Sequence, residues 1–380
     1  MNFTLTKEQA LIQKMIRSFT ENEVKPIAAE IDRNHTYPAE NIAKLFKLGV
    51  MGMVVPKQYG GQGADQLSAA IVAEELAKAC ASTSDIVAGH TLCCVPILEH
   101  GSEEQKMKYL PMLTKGGVLG GMGITEPNAG SDASKSQTEA KLEGDHYVIN
   151  GSKIFITNGP EAGVFVIFAM TDKSKGTKGL SAFIIESNYP GFSIGKVEEK
   201  MGLHGVHTAE LVFQDMIVPK ENLLGQEGKG FKICMQTLDT GRIGIAAQAL
   251  GIAEGAMNEA INYTKSRSQF GKPISKFQNT QFTFADMYTR IECARLLTYQ
   301  AACAKQNGQR CTVEAAMAKL TASETAMWVT TKAVQMFGGY GYTMDYPVER
   351  MMRDAKITEI YEGTSEIQRV VISGNMGLLK

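Results

Sequence analysis

The sequence predicts an α+β protein in three parts. An N-terminal α-helical domain covers 1–115, a middle antiparallel β-barrel or sandwich covers 116–226, and a C-terminal antiparallel helical bundle covers 227–380. Three observations carry this. Apolar residues recur at helical spacing from the N-terminus to about Lys115. From Gly116 to about Leu224 that period gives way to short strand-like runs between turns. From about Gly228 it returns in long segments, close enough in sequence to pack side by side.

Thr6-Lys7-Glu8-Gln9 reads as a helix cap, followed by an apolar stripe through Leu11, Ile12, Met15, Ile16 and Phe19. Pro26 should interrupt or kink that helix, because proline lacks the N–H the ladder needs. A short helix after Pro38 places Ile42, Leu45, Phe46 and Leu48 on one side, and 54–63 is a turn-rich loop. Helices are expected at about 66–80 and 84–100. Gly101-Ser102-Glu103-Glu104 then ends one helix and caps the next, which runs to about Leu113.

Strands are expected at 118–124, 137–142, 146–149, 153–157, 164–170, 180–185 and 211–218, with turns at Glu143-Gly144-Asp145 and Asn150-Gly151. No long helices separate them, which favours antiparallel pairing over βαβ units. Long helices follow at about 229–265, 277–306 and 312–337, then shorter ones to the end.

Composition narrows the function class. The 380 residues carry a formal net charge of −1 and no long basic run, which argues against nucleic-acid binding. No run of about 18 or more apolar residues occurs, so no membrane span is expected. The first residues lack both an apolar signal core and the Arg- and Ser-rich character of a transit peptide. The expected location is therefore cytoplasmic or, for a processed chain, the mitochondrial matrix. The seven cysteines show no CxxC pattern and suit buried thiols in a reducing compartment. His204 and His207 lie three apart in a loop entering a strand, without metal-ligand spacing, and no metal is expected.

Six stretches carry more than structure requires. In Ile357–Gln368, Glu362 sits between Tyr361 and Gly363, ahead of a helix start at Thr364. A carboxylate at such a turn suits a general base in apolar surroundings. A helix dipole explains a glutamate there as well. In Gly120–Asp132 a strand ends in small residues, with hydroxyls at Thr125 and Ser131. This turn could lie against a planar ring, or be a glycine-rich barrel corner; it matches neither a Rossmann nor a phosphate-loop pattern. Phe155 and Thr157, two apart on a strand, share a face that suits a ring platform or a plain core. Ser266–Pro273 joins two long helices and carries Arg267, Phe270 and Lys272, suited to phosphate contact or to plain solvation. Gln335–Tyr342 has more glycine than a helix cap needs and is followed by Asp345, Arg350 and Asp354. In the long helix, Asp239 and Arg242 share a face, either as a surface ion pair or near Glu362.

In this order and on this plan, these segments resemble the acyl-CoA dehydrogenase family over essentially the whole chain, and its short-chain, butyryl-CoA group most. GITEPNAGSD is similar to the family's first signature, QMFGGYGYTMDYPVERMMRD to its second, and IYEGTSEIQR to its catalytic segment. Lys135 departs from a usually small residue. The resemblance implies one FAD per subunit of a homotetramer built as a dimer of dimers. It implies that Met122, Ile124 and Thr125 line one side of the flavin, and Phe155 and Thr157 the other. Ser131 would contact CoA or the flavin phosphates. Arg267, Phe270 and Gln278 would reach the neighbouring subunit's FAD, with Gln335, Gly338 and Gly339 near its adenine end. Thr364 and Glu366 would complete the flavin site. Asp239 and Arg242 would hold the CoA moiety, with Tyr361 and Gly363 also touching substrate.

By the same resemblance Glu362 takes the α-proton of an acyl thioester, and a dry pocket should raise its pKa toward neutrality. One branch of the family carries its base at the position of Gly241, which here cannot act as one. The implied reaction is butyryl-CoA to crotonyl-CoA, with electrons passed to an electron-transferring flavoprotein. Bulk near Thr91–Pro96 is expected to limit the acyl chain. The reverse enoyl-CoA reduction or a branched substrate stands beside it. An acyl-CoA oxidase, typically a longer chain, would consume oxygen. A flavin-bearing nucleic-acid-binding relative is disfavoured by the charge balance and by Glu362.

Overall fold

The computed structural model describes residues 4–377, so the outermost three residues of both predicted terminal domains, and of the N-terminal stretch read for a leader, lie outside the described residues. Helix α1, Lys7–Phe19, opens on a capping box: Thr6 Oγ1 accepts from the Gln9 N–H at 3.2 Å, and Gln9 Oε1 accepts from the Thr6 N–H at 2.9 Å. Around Pro26 the helix loosens into a π turn, Thr20–Val24, and a 3-10 turn, Lys25–Ile27, before α2, Ala28–Asn34. Helices α3, Ala39–Lys47, α4, Gln66–Ala77, α5, Ala81–His100, and α6, Glu103–Thr114, follow. Ser102 and Gln105 form a second capping box at the start of α6.

The sheet comprises β1, Leu119–Gly123, β2, Glu139–Glu143, β3, His146–Thr157, β4, Ala162–Met170, β5, Leu180–Glu186, β6, Phe192–Val197, β7, Thr208–Pro219, and β8, Leu223–Leu224. Their spatial order is β6-β7-β3-β2-β4-β5-β8, with β1 also beside β4. Three details correct the sequence reading. Pairing is mostly antiparallel, but β1 runs parallel to β4, Met122 opposite Val166, and β2 meets β4 in parallel at Glu139 and Met170. A parallel neighbour needs a long connection, and the β2–β3 hairpin supplies it. Asn150-Gly151 is not a turn between strands. Gly151, at φ +141°, forms a bulge inside one continuous β3 that stays paired with β7. The Asn150 side chain locks this bulge, exchanging hydrogen bonds with Asp215 at 3.0 and 2.8 Å. Strand β6 escaped the reading because it is an edge strand with no buried residue to mark a face.

Strand β4 shows why this sheet positions a site. Val164, Val166 and Phe168 face a core shared with Cys93, Ile97, Leu113 and Ile233 from the helices. Phe165, Ile167 and Ala169 face a second core with Ile149, Leu211 and Phe213. A strand buried on both faces reads as an unbroken apolar run rather than an alternation.

The bundle comprises α7, Gly230–Ser266, a short hairpin of β9, Ser268–Gln269, and β10, Lys272–Pro273, then α8, Gln278–Gln306, α9, Thr312–Phe337, α10, Val348–Ile357, and α11, Ser365–Asn375. Glycines let α7 approach α4: a Cβ at Gly251 would lie 2.2 Å from the Glu74 carbonyl oxygen, and one at Gly255 2.2 Å from that of Lys78. Among the described residues, one helix, α5, is long and apolar enough by composition to cross a membrane. Some 78% of that window is buried inside the protein, as in a core helix.

Candidate active site

The chain from α10 to α11 turns through two consecutive left-handed residues, Glu362 at φ +54° and Gly363 at φ +91°. Glycine adopts this conformation freely, whereas for glutamate it costs on the order of 1–2 kcal/mol. Three bonds from buried side chains hold it. Lys319 Nζ donates to the Gly363 carbonyl at 2.8 Å. Gln368 Nε2 donates to the same oxygen at 2.7 Å and to the Glu362 carbonyl at 3.1 Å. Thr364 caps α11, its hydroxyl accepting from the Ile367 N–H at 3.3 Å.

Glu362 is half-buried as a residue, but its Oε2 is sealed from water and has no hydrogen-bond partner. Burial pushes this carboxyl up to about 7. Arg242 and Lys319 pull it down, and Asp85 pushes it up again. The result is a carboxyl that changes charge near neutral pH.

Opposite it, a Cβ at Gly241 would stand 2.5 Å from Glu362 Oε2 and 3.0 Å from Leu92 Cδ2. The space a side chain at 241 would need is filled by the carboxyl itself. Glu362, Gly241, Leu92, Thr91, Cys94 and Val54 are among the residues lining a cavity of about 70 Å³ between α4, α5 and α7. Asp239 and Arg242 are not a surface pair. Arg242 is 5% exposed, donates to Asp239 Oδ1 at 2.8 Å and lies within electrostatic reach of Glu362. Thr312 Oγ1 donates to Asp239 Oδ2 at 2.7 Å, which steers the pair.

The predicted ring-facing residues come together at the sheet edge. Met122 lies on β1, and Ile124 and Thr125 follow it, all half-buried. The Ile154 N–H donates to the Thr125 carbonyl at 2.8 Å, which places Thr125 beside β3. Phe155 stands at a bulge with φ +59° and is 59% exposed, while Thr157 is half-buried. Buried Asn158 ties the corner, its Nδ2 donating to the Ile86 carbonyl at 3.1 Å and the Gly120 carbonyl at 3.2 Å.

Sequence reasoning missed Glu126 and Lys153. Their side chains pair at 2.6 Å, and Lys153 is fully buried. Glu126 also accepts from the Gln137 N–H at 2.6 Å and the Thr138 N–H at 3.1 Å, folding the 126–138 loop onto β3. Burial opposes its charge, but Lys153 and the hydrogen bonds from Ser136 and Gln137 outweigh this and hold the carboxyl down to about 2. Ser131 is exposed on this loop. A separation of 27 residues gives no local signal for such a pair.

A second group lies apart from the Glu362 cavity. Arg267, Gln335, Gly338 and Gly339 line an open cavity of about 740 Å³ with Tyr263 and Tyr340, between the ends of α7 and α9 and the start of α8. Phe270, 93% exposed at φ +52°, projects from the β9–β10 hairpin, and Gln278 is exposed at the first turn of α8. Within one chain these residues do not share the Glu362 cavity. Glu366 is exposed in the first turn of α11, where the backbone N–H and Thr364 hold its carboxyl down. Tyr361 donates its hydroxyl to Gln248 Oε1. Arg350 and Asp354 are buried struts: Arg350 Nη2 donates to the Ala79 carbonyl at 3.0 Å, and Asp354 Oδ1 accepts from the Leu203 N–H at 2.6 Å. His204 and His207 pair separately, with Asp32 and Glu161.

Three family models match this chain in succession: "Acyl-CoA dehydrogenase, N-terminal domain" over 6–117, the "middle domain" over 121–216, and the "C-terminal domain" over 228–377. The chain is 63% identical to a protein of Clostridium acetobutylicum named acyl-CoA dehydrogenase, short-chain specific, over 99% of this chain and 100% of that one. It is 53% identical to an acryloyl-CoA reductase (NADH) of Anaerotignum propionicum, over 98% and 95%. A chain in a structure described as the electron transferring flavoprotein of Acidaminococcus fermentans, with flavin-based electron bifurcation as its theme, superposes with a TM-score of 0.98. That chain is 54% identical, with 99% of each covered.

Proposed function

The chain belongs to the acyl-CoA dehydrogenase family, and from that premise we propose that it converts a short-chain acyl-CoA, butyryl-CoA, to crotonyl-CoA with Glu362 as the sole base. One observation carries this reading. A carboxyl oxygen with no partner stands over glycine at the end of a small apolar cavity, and its proton affinity is raised to about 7. An unpartnered acceptor in a dry site is what abstraction of a weakly acidic α-proton needs. The Glu362 backbone N–H has no backbone partner among the described residues. It is a free donor for the thioester carbonyl, stabilising negative charge as the proton leaves. Arg242, steered by Asp239, is set to hold CoA and to favour the carboxylate form of the base.

The residues present fit FAD. Phe155 offers an uncovered aromatic face beside Thr157, across from Met122, Ile124 and Thr125. When bound, the flavin accepts the β-hydrogen with its electron pair. The role of Ser131, on the loop pinned by Glu126, is contact with CoA or phosphate. Thr364 and Glu366 sit beside the base, with Tyr361 and Gly363 on the substrate side. In this reading Arg267, Phe270, Gln278, Gln335, Gly338 and Gly339 serve the FAD of a neighbouring copy, because they lie apart from their own Glu362. Exposed Phe282 and Tyr288 on α8 support assembly into a homotetramer. The three proposed domains, divided near 115 and 227, would then set the flavin between sheet and bundle. The free thiols, mostly buried, suit a reducing, cytoplasmic setting.

An electron-transferring flavoprotein is the proposed acceptor, supported by the similarity to a chain from such a structure. The acryloyl-CoA reductase relative favours a second reading, the reverse enoyl-CoA reduction at the same site. Glu362→Gln tests both directions. It should bind FAD and CoA yet lose roughly 10²–10⁴-fold in turnover. Near-normal turnover, measured as flavin bleaching by butyryl-CoA, would remove Glu362 from its role.

A further inference from the structure

Helix α5 stands between the two halves of the proposed site, and a buried histidine on it fastens the flavin side. Strand β1 pairs with β4 among the described residues, so the outer edge of β1 needs other partners. At Gly120 two side chains supply them. The Gly120 N–H donates to His90 Nδ1 at 2.9 Å, and the Gly120 carbonyl accepts from Asn158 Nδ2 at 3.2 Å. The same face of α5 packs closely on the sheet. A Cβ at Gly89 would stand 2.7 Å from Thr157 Cγ2, and one at Gly120 would stand 2.6 Å from Cys93 Cβ. The other face of α5 belongs to the Glu362 cavity, where Thr91, Leu92 and Cys94 form part of the wall. A backbone N–H only donates, so His90 Nδ1 is the acceptor and the ring proton sits on Nε2, 3.4 Å from Cys94 Sγ. His90 is fully buried, with the Phe46 ring edge-on at 5.8 Å. Burial pushes the imidazole down to about 4, against the pull of the Met51 and Leu113 carbonyls, so Nδ1 stays free to accept. One side chain thus ties the strand that carries Met122 to a cysteine in the cavity wall.

We propose that His90 is a positioning residue: through the Gly120 N–H it fixes how far the flavin-facing strand stands from the cavity that takes the acyl chain. This rests on the flavin and acyl sites proposed above. In that reaction the α-hydrogen leaves as a proton to Glu362, and the electron pair left at the α-carbon forms the double bond. The β-hydrogen leaves with its own electron pair on the flavin side. Glu362 is held from elsewhere, by Lys319 and Gln368. A displaced β1 therefore lengthens the β-transfer and leaves the α-transfer alone. Such a transfer needs reacting atoms roughly 3–3.5 Å apart.

The test uses the FAD-loaded enzyme. His90→Leu fills the same space without an acceptor and leaves the Gly120 N–H unpaired. His90→Asn returns an acceptor bonded to Cγ, as Nδ1 is. The leucine variant should keep its FAD and its KM for butyryl-CoA and lose roughly tenfold in kcat. The kinetic isotope effect with β-deuterated butyryl-CoA should rise, with no rise for the α-deuterated substrate. Amide hydrogen exchange over Leu119–Gly123 should quicken. The asparagine variant should restore all three. Parental kcat and isotope effects in His90→Leu overturn the proposal, whatever the Tm. So does an asparagine variant no better than the leucine one, or an equal rise in both isotope effects, the mark of a general loosening. If His90→Leu does not fold, Gly89→Ala decides, because its methyl presses on Thr157 and moves the same strands from α5. A raised β effect alone supports the proposal there, and an unchanged one overturns it. Full turnover in Glu362→Gln would mark failure of the base assignment instead. A dead Glu362→Gln beside an unaltered His90→Leu marks failure of this inference alone.

Discussion

Glu362 bears a left-handed backbone and a desolvated carboxyl together, and the second has a sign that can be measured. Its carboxyl binds a proton more tightly folded, at about 7, than in the unfolded chain, near 4.5. Stability is therefore fully present below about 4.5 and falls as pH rises through 7. Glu362→Gln removes the penalty. The variant should be more stable than the parent at pH 8 by about 3 kcal/mol, with the gap closing below pH 5. Thermal denaturation at the two pH values checks this. Gly241→Ala acts on the same atoms. Its Cβ would displace Oε2 by contact at 2.5 Å. A shift of this kind should cost roughly 10²-fold in kcat, with FAD content unchanged, as read by steady-state assay and flavin absorbance. The glutamate and glycine were legible in the sequence, since each stands in a distinctive motif. Their mutual contact was not, because 121 residues of chain separate them.

At the scale of elements, the loop after β1 shows what local patterning leaves out. Thr125 and Ser131 stood out as hydroxyls in a glycine-rich run, but the residue that shapes the loop is Glu126, through a lysine on another strand. Lys153→Met would leave that carboxylate buried and unpaired. The expected cost is about 3–5 kcal/mol, seen as a lower Tm, together with weaker FAD retention on dilution. Retention of both would show that the loop folds without the pair. Glu126 is held ionised, so its contribution is present above about 4.5 and disappears as pH falls toward 2. The long helices were legible to within one or two residues because their apolar period is sustained over many turns. The bulge at Gly151 was not, because a glycine after asparagine signals a turn unless a partner strand keeps its pairing through it.

For the whole molecule, the order of helices, sheet and bundle follows from composition shifts along the chain. The parallel β1–β4 pair and the grouping of Arg267 with Gln335 are properties of topology, which periodicity does not encode. The cavity beside Glu362 is also a product of the whole, drawing on three helices. At about 70 Å³ it suits a short chain. Butyryl-CoA should give a higher kcat/KM than octanoyl-CoA; a reversed order would show that Leu92 and its neighbours move aside readily.

The burial of α5 has a consequence for how the chain is made. This apolar segment leaves the ribosome well before α7, which packs on it about 130 residues later. At 5–20 residues per second, the delay is roughly 6 to 26 seconds. For that interval α4, made earlier, and α6 and β1, made soon after, pack on α5, but the face that α7 will cover stays open on a stretch that resembles a membrane anchor in length and composition. Factors that sort nascent chains meet this segment before its cover is complete, so misrouting and self-association are hazards of synthesis rather than of the folded state.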